Sequence, residues 1–184
     1  MINRLQHFLA YECGPIDDIA DGGIPWRKDM SNFLKSIGIG VLNPCDKPSD
    51  MIKETPDTHK YLRNLAEYHR FDELTRFMKS IVSIDLHMVD LSNFIIVYVD
   101  KNAHMCGSYC ELTYSCLEHK PVIICSKQGK QNIPHWIYGI TETHRTFFNN
   151  WIEVKRYIRG VAYDTLGYPA ENDGWRFLDY NKVF

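Results

Sequence analysis

Two acidic residues, Asp85 and Glu111, stand 26 positions apart around one apolar stretch. Between them the chain passes through Asn93–Val99, breaks at Asp100, loops to Gly107 and resumes as a helix that carries Glu111 within about its first turn. Ligands of α/β domains gather at the carboxyl ends of strands. A carboxylate early in the following helix points back over that edge. Asp85, near the end of the helix before the strand, reaches the same edge from the side. Two carboxylates in different environments can divide the work of nucleophile and proton donor between them. Three further pieces fall at strand ends: Tyr11-Glu12-Cys13-Gly14-Pro15-Ile16, Asn43-Pro44, and Gly107-Ser108-Tyr109-Cys110-Glu111-Leu112.

The elements that would position these residues alternate along the chain. Strands are predicted over 6–13, 40–43, 94–99 and 121–125, with a weaker fifth over 146–149. Helices are predicted over 26–37, 57–67, 71–91, 108–118 and 151–159, with a helical turn over 134–138. The run Pro121–Cys125 is apolar without alternation, as a parallel strand covered on both faces requires. The pattern predicts an α/β fold: a doubly wound, five-stranded parallel sheet, flavodoxin- or Rossmann-like, with right-handed crossovers. One domain is expected over 1–163. The extension over 164–184 holds Tyr168, Trp175, Phe177, Tyr180 and Phe184, too many aromatics for a disordered tail. It is expected to pack on its own domain or on a neighbouring subunit.

Composition narrows the partners. A chain of 184 residues, 45% hydrophobic and 24% charged, fits one soluble globular domain. The net charge of -2 and the lack of a basic run argue against a nucleic-acid polymer. Arg4, Gln6 and His7 interrupt the first ten residues, unlike a signal peptide, and the longest apolar runs are strand-sized. None of the six cysteines forms a CxxC pair. Cys106 and Cys110 stand near His104, but no second cluster accompanies them, so no metal site is expected. Cys110 and Cys116 are expected to pack on a helix and Cys125 to end a strand. Reduced thiols in a cytoplasmic protein follow.

Taken in order, the pieces resemble the nucleoside 2-deoxyribosyltransferase family, including its relatives that hydrolyse nucleoside 5'-monophosphates. The matching features are a Tyr-containing first strand ending in Gly14-Pro15, Trp26-Arg27 at a helix start, and Asn43-Pro44 after the second strand. Asp85-Leu86 precedes the third strand, Gly107-x-x-x-Glu111-Leu112 opens the next helix, and Lys120-Pro121-Val122 leads into the fourth strand. The likeness covers roughly residues 7 to 126; the tail has no counterpart in it. The resemblance implies N-glycosidic bond cleavage or transfer on a small nucleoside or nucleotide, without metal or cofactor, in a homo-oligomer. It makes Glu111 the nucleophile at the anomeric carbon, Asp85 the residue that contacts or protonates the leaving base, and Tyr11 the residue that holds Glu111. It places Gly14, Pro15, Trp26, Arg27, Asn43, Gly107 and Ser108 around the substrate, with Gly14 and Gly107 allowing close backbone approach.

Singly, the same residues have simpler readings. Glu111 can be a helix N-terminal acid, Asp85 a solvated charge, and Tyr11 and Trp26 core. Arg27 is read either as a phosphate partner or, slightly favoured, as a solvent-exposed side chain. Ser108 is read as a helix cap or a phosphate ligand, and His87 and His104 as surface residues. The chain also departs from the family pattern. The loop over 101–106 lacks an acid, and Glu12 stands where an apolar residue is usual. Base and sugar preference are therefore open, as are three other activities: hydrolysis of a nucleoside 5'-monophosphate, nucleotide binding without catalysis, and NAD-type glycohydrolysis.

Overall fold

The computed structural model describes residues 2–16, 19, 21–47 and 54–179. Asp17 and Asp18 of the first loop, part of the loop before residue 54, and Tyr180 and Phe184 of the tail lie outside the described residues. The order is β1 (Leu9–Cys13), α1 (Ile24–Ser36), β2 (Gly40–Leu42), α2 (Pro56–Glu67), α3 (Phe71–Leu91), β3 (Phe94–Val99), α4 (Cys106–Leu117), β4 (Val122–Ser126), α5 (His135–Ile140), β5 (Phe147–Phe148) and α6 (Trp151–Ala162). All four strand pairings are parallel, in the order β2-β1-β3-β4-β5. This is the five-stranded doubly wound sheet the alternation predicts. The strand order reverses between β1 and β3, and the crevice that opens there is where such sheets bind ligands.

β3 and β4 are apolar and almost fully buried because helices cover both of their faces. One layer packs Trp26, Met30, Phe33 and Leu34 of α1 and Val154, Ile158 and Val161 of α6 against Ala10, Phe94, Ile96 and Ile123. The other packs Met88 and Val89 of α3, Leu112 of α4 and Ile137 of α5 against Tyr11, Cys13, Ile95, Val97 and Ile124. The period of two along each strand thus sends Tyr11 and Cys13 to the α3–α4 side. α6 is capped by Asn150, whose side chain accepts from Glu153 N at 3.0 Å while Glu153 reaches back to Asn149 N at 3.1 Å.

Several boundaries move for local reasons. β1 starts at Leu9 rather than residue 6, because residues 4–7 form a turn with His7 at φ 70° and its amide bonded to Gly38 O. α4 starts two residues before the expected Ser108, and β5 shrinks to two residues. Cys110 is exposed on α4 rather than packed, Cys116 is half-buried, and all six cysteines are free thiols.

The tail, through Asp179, folds back as two short 3-10 turns, Ala170–Asp173 and Arg176–Leu178. Trp175 is fully buried, its ring 4.9 Å from Phe94, and its indole N–H donates to Tyr157 Oη at 2.9 Å. Asp173 accepts from the hydroxyls of Tyr157 and Tyr168 at 3.0 and 2.8 Å and from Arg145 Nε at 2.7 Å. A buried carboxylate satisfied this fully anchors the segment to its own domain.

Candidate active site

Glu111 is the sixth residue of α4, which crosses the carboxyl ends of β1 and β3. The fully buried Tyr11 donates its hydroxyl to Glu111 Oε1 at 2.9 Å. Cys13, two residues along on the same face, donates its thiol to Ser108 O at 3.4 Å. Burial raises the Glu111 carboxyl above the usual range and the Glu54 charge adds to this, while Cys13 and Tyr11 act against it. Burial also raises Tyr11 and Cys13 far up, helped in both by the Glu111 charge. Both groups therefore stay protonated and serve as donors. A half-buried carboxylate with one oxygen held by a neutral hydroxyl is oriented but weakly solvated, the condition of an effective nucleophile.

Asp85 is on α3 and is buried at 7% exposure, not solvated. Lys47, with its side chain entirely buried, places Nζ 2.8 Å from Asp85 Oδ1 and 2.7 Å from Glu54 Oε1. The contact to Glu54 is a hydrogen bond. The contact to Asp85 is an ion pair whose geometry leaves Oδ1 without a hydrogen bond. Burial, then the Glu54 charge, raises the Asp85 carboxyl to about 7; Lys47 opposes them and the Glu111 charge adds a further push upward. The two carboxylates thus have unlike surroundings, Glu111 against neutral donors and Asp85 inside a charge cluster.

The other expected residues divide into three groups. Gly14 and Pro15 are buried at the end of β1, and a Cβ on Gly14 would come within 2.9 Å of Trp26 Cζ2 and 3.2 Å of Tyr98 Cβ. Close internal packing by itself requires glycine there. Gly107 is exposed, and a Cβ on it would meet nothing within 4 Å, so the space before it is open. Asn43 forms a turn, its Oδ1 accepting from Cys45 N at 2.9 Å.

Trp26 and Arg27 sit on the opposite layer. Trp26 stacks on Trp151 with ring centroids 5.0 Å apart. Arg27 is not in solvent: at 1% exposure it donates to the carbonyls of Gly14 at 2.7 Å, Gly23 at 3.1 Å and Glu12 at 3.4 Å. A guanidinium's five fixed donors suit such a carbonyl clamp. Ser108 is not the cap of α4. The cap position is Met105, no side chain bonds there, and Ser108 is buried in the first turn. Glu12 is fully buried against Ser31, whose hydroxyl lies 3.0 Å from both of its oxygens. His87 and His104 are exposed.

Three participants escape a reading of the sequence. Lys47 and Glu54 lie in a polar, proline-containing loop that looks like a connector, and a buried lysine carries no sequence signature. Cys13 could have been found from its period-two spacing to Tyr11. Among the described residues, no group of three or more His, Cys, Asp and Glu could hold a metal ion. No helix among them is long and apolar enough to cross a membrane.

No protein-family model matches the sequence, and no curated protein matches it either. Solved structures do. A 2-deoxyribosyltransferase from Bacillus psychrosaccharolyticus superimposes with a TM-score of 0.57 at 17% identity, covering 81% of this chain and 91% of that one. A 2-deoxyribosyltransferase from Leishmania mexicana does so with a TM-score of 0.50 at 15% identity, covering 83% and 97%. A CMP N-glycosidase from Clostridium botulinum aligns at 0.45 and 13% identity over 85% and 98%. Through the first two, the chain has the fold of these 2-deoxyribosyltransferases.

Proposed function

We propose that this chain breaks the N-glycosidic bond of a deoxynucleoside or deoxynucleoside 5'-monophosphate and passes the sugar to a second base or to water. The observation that carries the reading is the Tyr11–Glu111 hydrogen bond at the carboxyl edge of β1, beside a buried second carboxylate, Asp85. Cleavage at an anomeric carbon passes through an oxocarbenium-like centre, which a carboxylate can trap. A Glu111 oxygen bonds C1' as the C–N bond breaks. The bonding pair leaves with the base nitrogen, which takes the proton of Asp85. An incoming base or water then attacks C1', the Glu111–C1' bond returns its electrons to the carboxylate, and the proton lost by the attacking group restores Asp85.

In this reading Gly107 leaves room for substrate and Ser108, in the first turn of α4, lies where a 5'-phosphate would meet free helix N–H groups. Trp26 and Arg27 contribute through the packing and the carbonyl clamp that shape the end of β1. Asn43 and Pro15 shape the neighbouring turns. The chain works as a homo-oligomer in the cytoplasm, and a light-scattering mass of a monomer at micromolar concentration contradicts that assembly.

The test is product analysis on a panel of deoxynucleosides, their 5'-monophosphates and NAD, with and without an acceptor base. Base release or exchange supports the reading, and Glu111→Gln abolishes it while substrate still binds. Turnover confined to NAD, or binding with no base release by well-folded protein, refutes it.

A further inference from the structure

The proposed reaction needs Asp85 to hold a proton and let it go, and nothing in that scheme uses Lys47 or Glu54. Yet Lys47 is the most unusual side chain near the cleft. Lysine is almost never fully buried unless it is paired, and here one ammonium faces two carboxylates, Glu54 at 2.7 Å and Asp85 at 2.8 Å, with none of its side chain exposed. Three elements converge on that point: the turn after β2 brings Lys47, the segment before α2 brings Glu54, and α3 brings Asp85. Among the described residues one positive charge faces two negative ones and cannot neutralise both. In a site removed from water the uncompensated charge is costly, and the cluster relieves it by taking up one proton between the two carboxyls.

The geometry separates the two acids. Glu54 accepts a hydrogen bond from Lys47, whereas among the described residues Asp85 Oδ1 has the 2.8 Å Lys47 ion pair without good hydrogen-bond geometry. Asp85 also feels the Glu111 charge across the cleft. The less firmly held carboxyl, which also feels both negative neighbours, is the one that takes the proton.

We propose that Lys47, held between Asp85 and Glu54, is the positioning residue that fixes Asp85 at the cleft, and that with Glu54 it sets how readily Asp85 gives its proton to the departing base. This rests on the N-glycosidic reading above. Among the described residues the charged and titratable groups facing Asp85 are Lys47, Glu54, Glu111 and Tyr11, and burial and the Glu54 charge together already raise its carboxyl against the pull of Lys47. Removing Glu54 therefore acidifies Asp85, and removing Lys47 does the reverse. A merely structural lysine would leave the pH profile of base release where it is.

Two readouts on the full chain test this. The first is the titration of Asp85, followed by carbon NMR of aspartate-labelled protein and assigned with Asp85→Asn. The second is the pH profile of base release, whose alkaline limb reports loss of the Asp85 proton. Glu54→Gln is expected to shift both to lower pH by about one to three units, and Lys47→Met to shift both upward by a similar amount. Lys47→Arg is expected to stay close to wild type. Should Lys47→Met fail to fold, Glu54→Gln and the double variant Lys47→Met with Glu54→Gln still decide the matter. An Asp85 titration that ignores Glu54→Gln, or moves upward with it, overturns the proposal. So does an alkaline limb that stays put while the titration moves. If the wild-type chain releases no base from any panel member, the N-glycosidic reading fails, and the titration still judges the pairing independently.

Discussion

Tyr11→Phe is the cleanest perturbation of the site, because it removes one oxygen and keeps the ring that packs against the sheet. The lost contact is the 2.9 Å hydrogen bond to Glu111 Oε1. Hydrogen bonds to charged groups contribute about 1.5–3 kcal/mol, and each 1.4 kcal/mol or so is a factor of about ten. The hydroxyl is one of the two donors that hold the Glu111 carboxyl down against burial and the Glu54 charge. Without it the carboxyl rises further, so the ionised form that the proposed attack requires is scarcer at any given acidic pH. The acid limb of kcat/KM is expected to move to higher pH, with a loss between roughly tenfold and a hundredfold on that limb. As pH rises and the carboxylate is restored, the deficit relative to wild type should close, both proteins then declining together as Asp85 loses its proton. The assay is base release across pH 5–9 by chromatography, on substrate concentrations well below saturation. A profile of unchanged shape, lowered equally at every pH, refutes the reasoning, since it would mean that the hydroxyl places Glu111 without influencing its ionisation. No loss at any pH would remove Tyr11 from the site altogether.

Three further outcomes follow. Asp85→Asn should cost about a hundredfold or more with ordinary bases, which need protonation to leave, and much less with substrates carrying easily departing bases; an equal loss on both sets, measured as kcat, would deny Asp85 the role of acid. Glu12, raised by burial from an ordinary 4.5 to about 7, binds its proton more tightly folded than unfolded. Its contribution to stability is therefore complete below about pH 4.5 and is lost as pH climbs through 7, some 3 kcal/mol in all at about 1.4 kcal/mol per unit. Urea unfolding at pH 5 and pH 7.5 should show a smaller drop for Glu12→Gln than for wild type, and equal drops would contradict the sign. Trp175→Ala should destabilise by about 3–5 kcal/mol as a fully buried indole is deleted, while the folded fraction retains its specific activity; a urea midpoint within error of wild type would show that the tail adds nothing to the domain.

The fold was legible because its signals are local and long. The limits of α3 and β3 follow directly from a 21-residue helical pattern and a six-residue apolar run. β5, with two residues, gives almost no pattern to read. The start of β1 was misjudged because an aromatic, apolar run conceals the left-handed His7. Glu111 and Asp85 stand out in the sequence through their places on elements, not through any property of their own. Arg27, Lys47 and Glu54 were misread or missed for one shared reason. Charged residues in sequence are presumed to be solvated, and burial of a charge depends on partners distant along the chain: Gly14 and Gly23 carbonyls for Arg27, Asp85 for Lys47. Such partners are visible only once the chain has folded.

Tyr11 and Glu12 are neighbours with opposite assignments, and that opposition is what the sheet contributes to the chemistry. Alternation along β1 turns Tyr11 toward α4 and Glu111, and Glu12 toward Ser31 of α1. A slip of one residue in register would exchange them, placing a buried carboxylate beside Glu111 and a tyrosine against Ser31. The register is held by pairing on both sides, Tyr11 opposite Leu42 of β2 and Ile95 of β3. Past the strand, Arg27 takes over, tying Gly14 and Gly23 together from the packed side. Trp26 closes the gap above Gly14 so tightly that a methyl group would collide with it. Trp26 and Arg27, which the family resemblance places around the substrate, thus pack on the layer away from Glu111. Their contacts nearest the proposed site are with the backbone at Glu12 and Gly14. Arg27→Lys, which keeps the charge but not the fork of donors, should for that reason lower turnover by displacing Tyr11, and the loss should not add to that of Tyr11→Phe in a double-mutant cycle; full additivity would mean that the clamp and the hydroxyl act separately.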